Sequence, residues 1–398
     1  MLKRIAKNTG IQIFGRILTL TISLVTTGLL TRKLGSNIYG GLVLISSMTV
    51  LLDSLADFGT KIIGVREISK GKNKWSVLWW FRMMMSSLAI GIGLVVIGNW
   101  QGFREVKLEA SLAMLMIYLS STLGWWEIWM QSKLRMDLKV IIDVIYPLFW
   151  IGWLVVLWNQ ITLLGVVGSQ LVARVMSLVV ARILLKKNGF EWQKAKVART
   201  DLISLGKIVW PMGMFMLVFA AYDRFIDSLI IRQLLGLKEV AYYGLGYKIY
   251  GNLLLPASFW INSVFPLLAR KNKNTRIVIK KSLEVLLIMA GVIVGGTWIM
   301  APVAIKILGG SEYWPTIDVL RILSLALIFA YISHLIGFYL ISKGKQKSVF
   351  RYGLFSLVFN LGFNLLIIPH FGIKGAALVT VLTEFFGLIV LGFYSRQK

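Results

Sequence analysis

Apolar runs long enough to cross a bilayer recur along this chain, each ended by a short polar segment. At about 20 residues per span, the first six lie near 10–31, 38–60, 77–99, 109–131, 139–158 and 161–185. The next six lie near 208–235, 240–268, 283–308, 316–342, 348–368 and 373–394. Pro147, Pro211, Pro256 and Pro302 fall inside these runs. Membrane helices tolerate such breaks where neighbours satisfy the freed backbone groups, and Pro211 and Pro256 are candidate bends.

The polar segments carry a second pattern. The N-terminus and every second loop are basic, with Arg66, Lys70, Lys72 and Lys74 in one, Lys133, Arg135 and Lys139 in the next, and Lys186, Lys187, Lys194, Lys196 and Arg199 in a third. Arg270, Lys271, Lys273, Arg276, Lys280 and Lys281 follow, then Lys343, Lys345, Lys347 and Arg351. The intervening loops are poor in charge: Asn159-Gln160 has none, and 308–315 has only Glu312. Basic loops stay in the cytoplasm, so both termini are expected there. Twelve spans satisfy the alternation, whereas eleven or thirteen would strand a basic loop outside.

The longest hydrophilic segment, about 186–206, falls in the middle and divides six spans from six. The expected organisation is an N-terminal lobe at 1–186, a cytoplasmic linker at 187–206 and a C-terminal lobe at 207–398. No loop leaves room for a soluble domain. The halves repeat weakly. Arg32, Leu34, Gly35, Tyr39 and Gly40 have counterparts in Arg232, Leu235, Gly236, Tyr243 and Gly244 if three residues are inserted. Spans six and twelve both open on Gly-x-x-Gly, at Gly165–Gly168 and Gly372–Gly375. Parallel repeats are a transporter plan, with the substrate between the halves near the midplane.

Composition agrees. With 57% hydrophobic and 15% charged residues, the chain is too apolar and too sparsely charged for a soluble protein of its length. The net charge of +27 sits in the loops, where topology places it, so it does not indicate nucleic-acid binding. There is no cysteine, and two histidines are too few for a histidine metal cluster. Lys3, Arg4 and Lys7 before an apolar run resemble a signal peptide, but the run holds Arg16 and lacks a small-residue cleavage site, so it reads as a retained span. No phosphate-cradling Gly-rich loop, HExxH, nucleophile elbow or acid-bearing external loop is present, which disfavours an enzyme.

The chemistry therefore lies with charges inside spans, each of which costs about 3 kcal/mol or more at the helix centre and needs a pairing or functional reason. Arg16, Arg82, Arg224 and Lys248 are the candidate substrate ligands, because a guanidinium fork matches a phosphate or acidic sugar. Asp53, Asp57, Asp223 and Asp227 are candidate carboxylates for a coupling proton or sodium ion, or for holding the bundle by ion pairs. At helical spacing Asp53 and Asp57 share a face, Asp223 and Asp227 lie one turn apart, and Arg224 reaches Asp227. The tryptophans near span ends, Trp79, Trp80, Trp100, Trp125, Trp126 and Trp129, are interfacial anchors.

Four stretches carry a family resemblance: LLTRKLGSNIYGGL with the REIS that follows span two, YDRFIDSLIIRQLLGLKEVAYYGLGYKIY, LGGSEYWPTIDVLRILSLALIFAYISHLIGFYLISKGKQK, and NLLIIPHFGIKGAALVTVLTEFF. Together they resemble O-antigen and polysaccharide-repeat flippases of the multidrug/oligosaccharidyl-lipid/polysaccharide exporter superfamily. The resemblance implies an all-α polytopic membrane protein of about twelve transmembrane helices, in two six-helix lobes around a central cavity. It also implies translocation of an undecaprenyl-diphosphate-linked oligosaccharide across the inner membrane, for O-antigen, lipopolysaccharide, capsule or exopolysaccharide assembly. Ion gradients rather than ATP would drive it. A polysaccharide polymerase and glycosyltransferases are the implied partners. Only the Asp227 position and a cationic cavity carry over from the family. The alternatives are a cation-coupled multidrug exporter, a peptidoglycan-precursor flippase, and a membrane polymerase or ligase. Deep Arg and Lys residues disfavour the first, and short outer loops the last.

The topology makes a direct prediction. A reporter fused after Lys398 should be active only when it reads the cytoplasm, and activity of an external reporter there would overturn the twelve-span orientation.

Overall fold

A computed structural model describes residues 2–71, 74–191, 196–269 and 275–396, and these residues are helical throughout apart from short turns. Helix α1 (Leu2–Asp57) is too long for a bilayer and bends at Gly35 (φ 71°, ψ 170°) into rods 2–34 and 36–57. This backbone state is open only to glycine. Next come α2 (Thr60–Ser69), α3 (Trp75–Asn99), α4 (Lys107–Ala113) with α5 (Leu115–Ser132), α6 (Met136–Val156) and α7 (Leu163–Lys187). The second half comprises α8 (Arg199–Ala220), a π turn (Ala221–Phe225) running into α9 (Ile226–Leu234), α10 (Leu237–Leu253) with α11 (Leu255–Ala269), α12 (Thr275–Leu308) and α13 (Pro315–Ser342). The last helix, α14 (Gln346–Arg396), bends at Gly372.

Among the described residues, eight helical stretches are long and apolar enough to cross a membrane, and two of them, 10–69 and Gln346–Arg396, hold two rods each. The other two rods are 237–269, which carries Lys238, Glu239 and Lys248 and breaks at Leu254, and α12, whose 285–305 stretch has no charged residue. The protein is thus an all-α polytopic membrane protein with twelve rods where the apolar runs place them. One boundary moves: 199–206, read as linker, is the first part of α8.

By contacts the chain forms two compact units, Met1–Leu34 with Ile45–Ala220, and Gly35–Leu44 with Ala221–Lys398. This differs from the sequence division in two places. Helix α8 belongs to the first unit because Gly213 lets the Phe58 ring lie on its backbone, with Phe58 edge-on to Trp210 at 5.7 Å. That contact joins a core of Phe81, Trp125, Ile128, Trp129 and Met130. Residues 35–44 belong to the second unit because Gly40 abuts the Leu237 carbonyl, Val43 abuts Gly244, and Tyr39 meets Tyr313 edge-on at 6.1 Å. Glu312, the one charge of its loop, accepts the Ser36 N–H at 3.0 Å at the start of the 36–57 rod. There it offsets the orphan donors and positive dipole of a helix N-terminus.

The repeat is carried by backbone geometry. Gly236 (φ 104°, ψ 179°) opens α10 in the same state as Gly35 opens the 36–57 rod. Both rods then run on without interruption, so the three-residue insertion has no place after either glycine. The Gly-x-x-Gly pair differs between the halves. Span six starts from Thr162, whose hydroxyl accepts the Gly165 N–H at 3.0 Å, whereas span twelve starts at the Gly372 bend.

A methyl at Gly40 has no room beside the Leu237 carbonyl, whereas nothing lies within 4 Å of one at Gly91. Gly40→Ala should therefore lower the melting temperature in detergent by several degrees, matching an overpacking cost of about 1–3 kcal/mol. Gly91→Ala should leave it unchanged, and equal melting of the two variants would refute the contact.

Candidate functional site

In the first unit the charged residues gather where the 36–57 rod turns into α2. Phe58 (φ 40°) and Gly59 (φ 75°) reverse the chain, and Arg82 of α3, 3% exposed, closes the turn. Its Nη1 donates to Asp57 Oδ1 and, at 2.6 Å, to Thr60 Oγ1. Its Nε donates to the Ser121 carbonyl of α5 at 3.1 Å. Ser86 and Ser121 join hydroxyls at 2.6 Å beside it, and Gly124 is bare because a methyl there would strike the guanidinium. Arg82 thus ties together three segments, and breaking a buried pair of this kind costs about 3–5 kcal/mol. Asp57 Oδ2 is buried without a hydrogen-bond partner. Asp53, one turn earlier and partly buried, is surrounded by the Ser120 hydroxyl and the charges of Arg174 and Arg82.

A second layer links α2, α5 and α6. Lys61 pairs with Glu127, which is 4.0 Å from Lys139, and Lys139 bonds Asp143 at 2.5 Å. Arg16 is exposed near this layer, where Gly15 packs on Val140 and its charge acts on Lys139. Outside the spans, Arg135 bonds Asp137 at 3.0 Å and Asn188 at 2.6 Å, which joins two basic turns. Its hydrogen bonds hold the Asp137 carboxyl below the usual carboxylate range.

In the second unit Asp227, 2% exposed, lies on α9 just past the π turn. Its Oδ2 accepts from the Tyr243 hydroxyl of α10 at 2.5 Å, and its Oδ1 accepts from Asn364 Nδ2 of α14 at 2.7 Å. Asn364 also reaches Asn360 Oδ1 at 3.0 Å, and Thr380 Oγ1 lies 3.2 Å from the Tyr243 hydroxyl. Asn364 Oδ1 is buried and has no hydrogen-bond partner. A carboxylate, two amides and two hydroxyls from three helices therefore converge below the lipid surface, an oxygen-rich set of the kind hard cations take. Lys248 is partly buried on α10, between Tyr247 and Tyr250 in the chain. The Tyr222 hydroxyl donates to Glu384 at 2.8 Å. The side chains of Asp223 and Arg224 lie outside the described residues. Their backbone belongs to the π turn, which replaces the continuous helical spacing expected there.

Among the described residues no group of three His, Cys, Asp or Glu residues could hold a metal ion. The amides and hydroxyls around Asp227 had no charge to mark them in the sequence. The signal was Asn360 and Asn364 four residues apart in an apolar run.

A family model described as polysaccharide biosynthesis protein matches residues 5–272. The chain belongs to this family. Curated proteins give no match. Among solved structures, a MATE family multidrug resistance transporter of the MOP superfamily, inward-facing, is 13% identical with a TM-score of 0.75, over 95% of this chain and 94% of the transporter. The lipid II flippase MurJ, in its inward closed conformation, is 14% identical with a TM-score of 0.78, over 98% of this chain and 88% of MurJ. A mutant of the Vibrio cholerae MATE transporter VcmN is 14% identical with a TM-score of 0.66, over 100% of this chain and 97% of VcmN. This member of the polysaccharide biosynthesis family thus has the fold of MOP-superfamily transporters and flippases.

Arg82→Ala would strand the Asp57 carboxylate, and the expected result is a drop of several degrees in melting temperature and poor recovery of folded protein. The pair Arg82→Gln with Asp57→Asn should recover most of that loss, since two neutral partners leave no stranded charge. A melting temperature in Arg82→Ala equal to wild type would show that the knot does not hold the turn.

Proposed function

We propose that the protein is a flippase that moves an undecaprenyl-diphosphate-linked oligosaccharide across the cytoplasmic membrane for surface polysaccharide synthesis. The observation that carries this reading is the family match over 5–272 on a fold shared with a lipid II flippase. Alternating access supplies the mechanism. The diphosphate and sugar head enters a hydrated cationic path from the cytoplasmic side while the polyprenyl tail stays in lipid, and a conformational exchange then exposes the head outside. Binding stays moderate, because a ligand held equally by both states shifts neither.

The charged residues divide by role in this reading. Arg16, exposed on α1, is the candidate substrate cation of the first unit, and Arg224 and Lys248 are those of the second. Arg82 holds the turn. Asp227 binds the coupling cation, a proton or sodium ion, with Thr380, Asn360 and the unengaged Asn364 Oδ1 as further oxygen ligands. The chain works as a transporter with both termini in the cytoplasm, receives its substrate from glycosyltransferases and delivers it to a polymerase outside. O-antigen, capsule and exopolysaccharide units share the diphosphate chemistry, so the sugar is set by its pathway. Likeness to MurJ supports a second reading, a peptidoglycan-precursor flippase.

Deletion of the gene should cause undecaprenyl-linked repeat units to accumulate on the cytoplasmic face, and extraction of lipid-linked intermediates measures this. Asp227→Asn should reproduce at least a tenfold loss of export while inserting normally. Absence of such intermediates in the deletion strain rejects the first reading, and rescue of a strain lacking lipid II flipping selects the second.

A further inference from the structure

Arg174 sits near the middle of α7 (Leu163–Lys187), at the depth where a charge is most costly. Its guanidinium carbon lies 3.9 Å from the ring centroid of Tyr146, itself midway along α6 (Met136–Val156). The guanidinium therefore lies over the ring face within cation–π reach. The side chain makes no hydrogen bond or ion pair with any described residue, and its Nε is buried without a hydrogen-bond partner. Its charge acts on Asp53, with which it forms no ion pair.

Arg82 of the same unit shows the contrast. An arginine that holds a bundle together directs its donors at protein acceptors, as Arg82 does at Asp57, Thr60 and Ser121. Arg174 is only partly buried and lies over an aromatic ring, and its side chain makes no hydrogen bond with a described residue. At midplane depth a partly exposed guanidinium must open on water rather than lipid. A planar guanidinium with unengaged donors in such a place suits an oxyanion bound through two parallel N–H···O bonds.

We propose that Arg174, seated on Tyr146, is an anion site that takes a phosphate of the translocated lipid-linked substrate. This rests on the flippase reading. No ion pair has to break for a phosphate to bind there, which favours release as well as capture.

The test uses the full-length protein in phosphatidylcholine nanodiscs with inorganic pyrophosphate as the probe, read by calorimetry. Wild type should bind, Arg174→Gln should bind at least tenfold more weakly, and Tyr146→Leu should fall in between, each with the wild-type melting temperature in the absence of the probe. Arg174→Lys, which keeps the charge without the fork, should recover only part of the affinity. Wild-type pyrophosphate affinity in Arg174→Gln overturns the site. If that variant fails to insert, wild-type affinity in Tyr146→Leu overturns it instead. Nanodiscs with phosphatidylglycerol distinguish the source. Unchanged pyrophosphate affinity supports a substrate phosphate, and its loss assigns the site to a resident lipid headgroup and overturns the substrate role. If lipid-linked repeats accumulate in the deletion strain but Arg174→Gln exports normally, the site fails and the flippase reading stands. If pyrophosphate binding depends on Arg174 but no lipid-linked repeats accumulate, the flippase reading fails and, with it, the assignment of the bound phosphate to a lipid-linked substrate.

Discussion

A polar group below the lipid surface has no water to turn to, so every buried charge of this chain must find its partner within the protein or along a hydrated path. The Arg82 knot shows what that constraint builds. A reversal at Phe58 and Gly59 leaves Asp57 and Thr60 at a chain bend, where a helix cannot satisfy its own backbone groups. Arg82 supplies three donors there, to Asp57, Thr60 and the Ser121 carbonyl. Gly124 is small because the guanidinium occupies the space of its side chain. Removing any one member would leave another exposed to a medium that cannot solvate it, so the turn, the α3 contact and the α5 contact stand together.

The same constraint shapes the turns. A helical rod that ends in or near the membrane leaves orphan backbone groups, and the chain meets this in two ways. It bends at Gly35 within α1 and turns at Gly236 between α9 and α10, where only glycine fits the backbone. It also brings a side chain to the start of the next rod, as Glu312 does for Ser36. That contact places residues 35–44 in the second compact unit, although their neighbours on both sides in sequence belong to the first. The covalent chain thus enters the second unit at Gly35 and leaves it within the 36–57 rod, after Leu44.

What the sequence makes legible follows from which property is local. The twelve rods were readable because hydrocarbon thickness imposes a length on each apolar run, whatever it packs against. The Gly35 and Gly236 bends were readable as a repeat but not as geometry, and the inserted residues used to align Tyr39 with Tyr243 have no room in two uninterrupted rods. Membership of α8 in the first unit depends on Phe58 lying against Gly213, a contact between residues far apart in the chain that no local pattern encodes. The candidate site was half visible. Charge marked Asp57, Arg82 and Asp227 as anomalies in apolar runs, whereas Asn360, Asn364 and Thr380 carry none, and hydropathy counts them as ordinary interruptions.

Partners separate the intramembrane charges more sharply than depth does. Arg82 and Arg174 are both arginines of the first unit that act on Asp53, yet one has its donors engaged by protein oxygens and the other lies over a tyrosine ring with its Nε unengaged. The transport role proposed above requires both kinds. Charges closed into the fold can neither release nor exchange a ligand, so they fix the rods. Charges held by a ring or by amides keep the capacity to bind something that arrives and leaves. Asp227 lies between these extremes, since Tyr243 and Asn364 donate to it while the Asn364 carbonyl beside it remains unengaged. In the transport reading proposed above, a carboxylate to which a hydroxyl and an amide donate admits a small cation by a shift of either group.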